Sequence, residues 1–402
     1  MVAAPRLRKK GNTFKAPVIG ERLPDLLKVA AIYGPNASGK SNLIAAMKVF
    51  GELLEKYSAS DLTDKLAIKA FRFDEKLSHS PSEFEIHFIH GQLRYEFNVA
   101  ATSERIMYER LVAYPKGRDT LLYERRHTEG GDEYTFGPTL EGGKEVHEAW
   151  RRLTGPQKLF IAQAVANSDE TLVQLKMPYA WLRDGLGVIN KNLDPWAKTT
   201  QVLAQNLPKV IDSITEFLQE IDVPVSGIRV IPSKKANNPS DILDDLAARI
   251  NNLEDGDIKL THTTALGSAE FDFNEESDGT KNLMGFWLPW FILQKRAIIG
   301  SSQLCALVCD ELDSSLHPLI VESLVAKQLN SDEPSQLIFT THDTHLMDSK
   351  LLRRDQFWLT ERDMNGATKL RCIHDFEGRE GEDIEKRYYE GMYRGLPFVS
   401  KQ

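Results

Sequence analysis

The stretch Gly34-Pro35-Asn36-Ala37-Ser38-Gly39-Lys40-Ser41 constrains this chain more than any other. It fits G-x-x-x-x-G-K-[ST], the phosphate-binding P-loop. The apolar run 27–33 before it suits a buried strand, and Asn42 to Phe50 after it suits a helix. Strand, glycine loop and helix is the context in which such a loop holds a nucleoside triphosphate. Gly34 and Gly39 let the backbone close on a phosphate with no Cβ in the way. The loop through Pro35, Asn36, Ala37 and Ser38, with the helix N-terminus as far as Asn42, offers amide donors and partial positive charge to the anion. Lys40 is expected to reach the β- and γ-phosphates of ATP, and the Ser41 hydroxyl to ligate Mg²⁺.

At 402 residues the chain can bury a large core and is expected to divide into two or three lobes. Its net charge of −8 excludes a global basic signature for nucleic acid and leaves only a local patch open. The basic pairs Arg125-Arg126, Arg151-Arg152, Lys234-Lys235 and Arg353-Arg354, and the run from Arg6 to Lys10, are dispersed and read as solvated surface. Cys305, Cys309 and Cys372 make no metal-ligand pattern and read as reduced packing thiols, which fits a cytoplasmic protein. The N-terminus has charge but no apolar h-region. The most apolar stretch, Leu283 to Leu293, carries Pro289 and is too short to span a bilayer, so no membrane partner is expected.

Residues 1–26 are polar and poorly patterned. Residues 82–126 read as an antiparallel meander, with alternation in Phe84 to Ile89 and Leu93 to Val99 around a Gly91-Gln92 turn, then Arg105 to Tyr114 and Thr120 to Arg125. His87 and His90 fall on opposite sides of one strand and read as surface residues. From about Val146 the pattern turns helical, with helices expected over Ala197 to Asp222 and Ser240 to Leu253, a strand at Val225 to Ile231 between them, and a loop at Lys234 to Pro239. Residues 258–273 look β-like again.

Four further features follow in order. Ser277-Asp278-Gly279-Thr280-Lys281 is a small, hydroxyl-rich turn that opens an apolar helix, a device that either binds an anion or caps the helix. Leu304 to Glu311 is an apolar strand ending in two acids, the Walker B form. Asp310 would hold Mg²⁺ and Glu311 would polarise the attacking water. Asp313 follows in Leu312-Asp313-Ser314-Ser315-Leu316-His317-Pro318. The strand Gln336 to Thr341 then ends at His342, at the carboxyl edge where ligands bind in open α/β sheets.

This order resembles the ATP-binding-cassette class of P-loop ATPases, in the branch that includes the SMC and RecF proteins. The P-loop, Ser277 to Lys281, Asp310 to Pro318, Arg353 to Trp358, Glu385 to Tyr388 and Gly395-Leu396-Pro397 are similar to the bacterial AAA-labelled ATPases of anti-phage and abortive-infection systems, typified by RloA and the ATPase of the PARIS system. The resemblance implies an α/β fold: an ABC-type P-loop ATPase with an antiparallel β lobe and a helical insertion. Residues 1–145 would be the N-terminal part of the ATPase with the P-loop and the antiparallel lobe, 146–257 a mainly helical insertion, and 258–402 the C-terminal part. Ser277, Gly279 and Thr280 would be the signature, with Asp278 at a usual glycine position. Asp313 would be the D-loop residue and His342 the γ-phosphate switch. The aromatic-rich strand with which the family usually opens is missing from residues 1–26. Gln157 and Gln163 are candidates for the family's Q-loop on spacing alone.

By the same likeness, two copies close head-to-tail on ATP, the signature of one capping the nucleotide held by the other, in a homodimer with composite sites. Glu311 and His342 would be the catalytic pair. Hydrolysis would control a separate effector, a nuclease or a toxin, in phage defence. The alternative is a RecF- or SMC-like DNA-repair ATPase, for which nucleic acid is the partner. The related OLD proteins append a metal-dependent Toprim nuclease, but the short acidic stretch around Asp375, Glu377, Glu380, Glu382 and Asp383 is glycine-rich and reads as loop. Any nuclease activity is therefore expected from a partner.

Overall fold

Val29-Ala30-Ala31-Ile32-Tyr33 is apolar at every position, as a strand covered on both faces must be, and all five residues are buried. The strand lies inside a six-stranded sheet in the order Thr368–Cys372, Phe357–Arg362, Val29–Tyr33, Gln336–Thr340, Ala306–Cys309, Leu186–Ile189. The last five run parallel, and Thr368–Cys372 closes one edge antiparallel. Val29, Ala31 and Tyr33 face one core, and Ala30 and Ile32 face another with Ile44. The chain is seen here in a computed structural model that describes residues 1–5, 7, 11–55, 65–231, 258–294, 305–314, 316–348, 350–379 and 381–393. The expected loop Lys234 to Pro239, the helix Ser240 to Leu253 and the Gly395-Leu396-Pro397 stretch lie outside the described residues.

The P-loop helix, Lys40–Glu55, joins two cores. Ile44 packs under the parallel sheet, and Val49, Phe50, Leu53 and Leu54 enter the core of a second sheet. That sheet is antiparallel and sequential: Ser82–His90, Leu93–Ala101, Ile106–Ala113, Thr120–Thr128 and Gly131–Phe136. Its alternation is visible in the sequence, except for the fifth strand. Phe97, Val99, Leu111 and Tyr123 point inward against Trp150, Phe160 and Trp181.

The segment after it departs from the sequence reading in two ways. Ala197 to Asp222 is two helices, Asp194–Asn206 and Pro208–Glu220. Pro208 has no amide to donate backward, so it ends one helix and opens the next. More consequentially, Leu186–Ile189 lies within the stretch read as a helical insertion but pairs with Ala306–Cys309 as the edge strand of the main sheet. Four residues are too few to display a period.

The apolar helix Asp278–Gln294 owes its composition to its position. Ten of its residues are buried, Trp287, Pro289 and Trp290 among them, and its aromatic side chains pack into the core shared with Tyr33 and Phe339. Among the described residues no helix is long and apolar enough to cross a membrane.

Several basic residues read as surface are structural. Arg353 binds Asp355 at 2.7 Å and the Gly11 carbonyl at 3.3 Å, and Asp355 also accepts the Ala4 amide. Arg354 donates to the carbonyls of Ile373 and Phe376. The Arg353-Arg354-Asp355-Gln356 stretch thus fastens the first residues and the tail to the P-loop strand, where Gln356 donates to the Val29 carbonyl. Arg125 is buried in the antiparallel lobe. Arg6, Arg8, Lys9, Lys10, Lys234 and Lys235 lie outside the described residues.

Candidate functional site

The register of the parallel sheet brings four strand ends to one edge. The Thr341 amide donates to the Ile32 carbonyl (3.1 Å), Leu312 to Thr340 (3.1 Å) and Asp310 to Ile189 (2.9 Å). The P-loop, His342, the two acids and the turn after Ile189 therefore share the carboxyl edge of the sheet, the place where such sheets bind ligands.

The P-loop backbone is the tight form that anions favour. Gly34, Ala37 and Gly39 have φ of 154°, 61° and 101°. Ala37 carries a side chain in the left-handed region, which the surrounding loop must hold in place. The hold comes from the hairpin of Phe357–Arg362 and Thr368–Cys372. Thr360 Oγ1 meets Ser38 Oγ at 2.6 Å and donates to the Tyr33 carbonyl, and Thr368 Oγ1 donates to the Ser38 carbonyl at 2.9 Å. A Cβ on Gly39 would lie 1.9 Å from Thr368 Oγ1, and one on Gly34 2.2 Å from Thr360 Oγ1. The sequence pattern explains the glycines by the phosphate. The hairpin at their backs is a second reason, and nothing in the motif signalled it.

Lys40 is 6% exposed. Its ammonium donates to the carbonyls of Gly34 (2.8 Å) and Pro35 (3.2 Å), which are neutral groups. Burial pushes its pKa down, against the pull of Glu311 and Asp310. A buried cation bonded, among the described residues, only to neutral carbonyls, at the start of a sixteen-residue helix and across from two acids, is a donor set that fits a nucleotide phosphate with its magnesium ion. Ser41 opens the same helix beside it.

Asp310 and Glu311 are held by Thr340, a fully buried residue. Its hydroxyl donates to Asp310 Oδ1 and accepts the Glu311 amide, both at 2.7 Å. Glu311 has φ 54°, an unfavourable conformation for a residue with a side chain. Its carboxylate lies between Lys191 and His342. His342 Nε2 lies 3.9 Å from Glu311 Oε1, and the His342 amide donates to Asp313 Oδ2 at 3.2 Å. The other Asp313 oxygen is buried with no partner among the described residues. Glu311, Asp313 and His342 therefore form one constellation, and Thr340 is the member that the strand pattern gave no reason to single out.

Ser277 and Thr280 have a different role in the single chain. Ser277 Oγ accepts the Thr280 amide at 3.1 Å and meets Thr280 Oγ1 at 3.0 Å, a helix cap. Ser277 is exposed at the tip of the helix and Gly279 is half-buried behind it. Among the described residues these bonds stay within the turn and do not reach the P-loop. Gln163 is buried in the helix Phe160–Ala166, within the antiparallel lobe. The chain position beside the Walker B strand belongs instead to Asn190 and Lys191, which follow the edge strand. Lys191 donates to Glu311 Oε1, and the sequence reading passed over it because its strand was not seen.

A family model described as "AAA domain, putative AbiEii toxin, Type IV TA system" matches residues 29–348, from the P-loop strand to the helix after His342. Among curated proteins no match is found. Solved structures similar to the chain include the Smc head bound to the C-winged helix domain of ScpA, at 14% identity and TM-score 0.40, covering 87% of this chain and 91% of that one. They also include the SMC head domain from Thermotoga maritima, at 17% identity and TM-score 0.35, covering 85% and 89%. The recombination mediator RecF with ATP in the RecFOR pathway matches at 14% identity and TM-score 0.33, covering 89% and 98%. At these scores the likenesses say nothing about activity.

Proposed function

The chain belongs to the family of AAA domains described as putative AbiEii toxins of type IV toxin–antitoxin systems, and from that membership we propose that it is a Mg²⁺-dependent ATPase of the ABC type. The observation that carries the reading is the Thr340 bridge, which ties both Walker B acids to the strand that ends at His342. Lys40, with the P-loop amides, binds the β- and γ-phosphates. Ser41 and Asp310 would hold Mg²⁺, which neutralises charge building on the phosphates. Glu311 accepts a proton from water as the water oxygen bonds to the γ-phosphorus, the bond to the β–γ bridging oxygen breaks, and ADP and phosphate leave. His342, beside the same carboxylate, donates to the γ-phosphate.

We infer further that ATP closes two copies head-to-tail. The exposed Ser277, followed by half-buried Gly279 and buried Thr280 at the start of the helix Asp278–Gln294, supports a composite site in which this turn meets a phosphate of the other copy. The switch is differential affinity: closed dimers bind ATP, and hydrolysis removes the contact that favours them. By its motif resemblance to RloA- and PARIS-type ATPases, we read hydrolysis as coupled to an effector in anti-phage defence; the family's own description names a toxin of a toxin–antitoxin system. The RecF-like alternative needs a basic stripe for phosphates. Arg125, Arg353 and Arg354 are buried and bonded internally, which weighs against it.

The test is the Glu311→Gln protein. It is expected to bind ATP, to turn over about 10²–10⁴-fold more slowly, and to accumulate ATP-dependent dimers in analytical ultracentrifugation. Wild-type turnover in this variant would sink the assignment of Glu311. Salt-sensitive DNA binding by the ATP-bound dimer would move the biological role to the repair alternative.

A further inference from the structure

Lys191 stands in the turn beside the Walker B strand. It follows the edge strand Leu186–Ile189, whose parallel register sets Ile189 opposite Cys309 and so brings the next turn beside Asp310 and Glu311. The Asp310 amide is bonded to the Ile189 carbonyl at 2.9 Å, which fixes that approach. The Lys191 ammonium donates to Glu311 Oε1, with the lysine side chain 53% and the carboxylate 24% exposed. The same oxygen is the one nearest His342 Nε2. Lys191, Asn282, Asp310, Glu311 and Ser314 line one small cavity at the sheet edge. Lys191 is also close enough to Lys40 that its charge helps lower the Lys40 pKa, after burial as the main cause. Two ammonium groups thus flank the acids, one from the P-loop and one from the edge strand.

An ion pair this exposed contributes little to stability by itself, about 0–1 kcal/mol in general. It is also easily exchanged. A lysine is a flexible point charge that can move from a single carboxylate to a phosphate carrying more charge. While it sits on Oε1 it occupies the acceptor that an attacking water would use.

We propose that Lys191 is a γ-phosphate ligand of this site and its determinant of ATP over ADP, and that it rests on Glu311 until a γ-phosphate draws it away. The inference rests on the ATPase reading. It makes Glu311 available as a base only when the nucleotide is the triphosphate, so an empty site holds its base capped.

The experiment is calorimetric titration of the full chain with MgATPγS and with MgADP. Lys191→Met is expected to bind ATPγS roughly tenfold more weakly, the size of one charge-assisted hydrogen bond, and ADP unchanged. Lys191→Arg should keep the wild-type ratio. The Glu311→Gln background separates the two roles of Lys191: the loss on adding Lys191→Met should persist there, since the phosphate contact does not need Glu311. An unchanged ATPγS-to-ADP ratio in Lys191→Met, or a loss that disappears in the Glu311→Gln background, overturns the proposal and leaves Lys191 as a partner of Glu311 only. Failure of the wild-type chain to bind either nucleotide overturns the ATPase reading as well.

Discussion

Two acid–base networks sit on the two sheets, and they are satisfied in opposite ways. In the antiparallel lobe, Glu109 is fully buried. Its oxygens accept from Tyr123 Oη (2.6 Å), the Phe160 amide (2.7 Å) and the Ile161 amide (3.1 Å). Arg125, 4.0 Å away, donates to Asp132 and to the carbonyls of Lys158 and Gly155. At the parallel sheet's edge, Lys40 is bonded to neutral carbonyls, and Glu311 has a half-exposed lysine on one oxygen. Both networks set basic side chains beside carboxylates. The first network saturates every charge within the chain and caps the helix Phe160–Ala166, so it can only hold. The second leaves a buried cation with no anionic hydrogen-bond partner among the described residues, so it can take one up.

That contrast can be broken by exchanging symptoms. Lys40→Ala is expected to abolish nucleotide binding in a fluorescent-analogue titration while the thermal melt stays within a few degrees of wild type. Glu109→Ala should do the reverse: a loss of about 3–5 kcal/mol in denaturant unfolding, as for removing one partner of a buried ion pair, with nucleotide affinity per folded molecule unchanged. If Glu109→Ala weakened nucleotide binding instead, the lobe would be part of the site.

Smaller effects sharpen the picture at the loop. Gly39→Ala must accommodate a Cβ at 1.9 Å from Thr368 Oγ1 and a φ of 101°. It should cost about 1–3 kcal/mol and reduce nucleotide affinity together with stability, since hairpin and loop shift as one. Thr360→Val keeps the shape but loses the bonds to Ser38 and Tyr33. A decrease near 1 kcal/mol is expected, with a several-fold weaker nucleotide Kd. An unchanged Kd would show that the hairpin does not set the loop's pose.

The smallest effect is in acid. Burial pushes the Asp132 carboxyl up, but its bonds to Arg125 and His127 outweigh this and hold it below the ordinary 3.8. A depressed carboxylate contributes stability above its unfolded pKa and loses it as pH falls through the folded one. The stability gap between wild type and Asp132→Asn should therefore narrow as pH drops from about 5 to about 3. A constant gap would mean that the bonds of Asp132 act through shape and not charge.

Much of this was legible in the sequence because it is local. The P-loop strand and helix are set by consecutive residues, and four strands of the antiparallel lobe by period-two alternation between short turns. Walker B and the strand to His342 are short apolar runs ended by chemistry-bearing residues. The single chain leaves Ser277, Gly279 and Thr280 as a helix cap, as their spelling equally allowed.

The motif alone, then, determined that a phosphate loop exists and which residues would serve it. It could not determine the neighbours. Leu186–Ile189 is a strand only because Ala306–Cys309 offers it a ladder, and that pairing delivers Lys191 to Glu311 across a gap of 120 residues. Thr360 and Thr368 support a loop more than 300 residues away. Arg125, Arg353 and Arg354 look like surface charge until the fold buries them. A short strand or a single side chain carries no period and no spacing, so its partner is decided only when the sheet assembles.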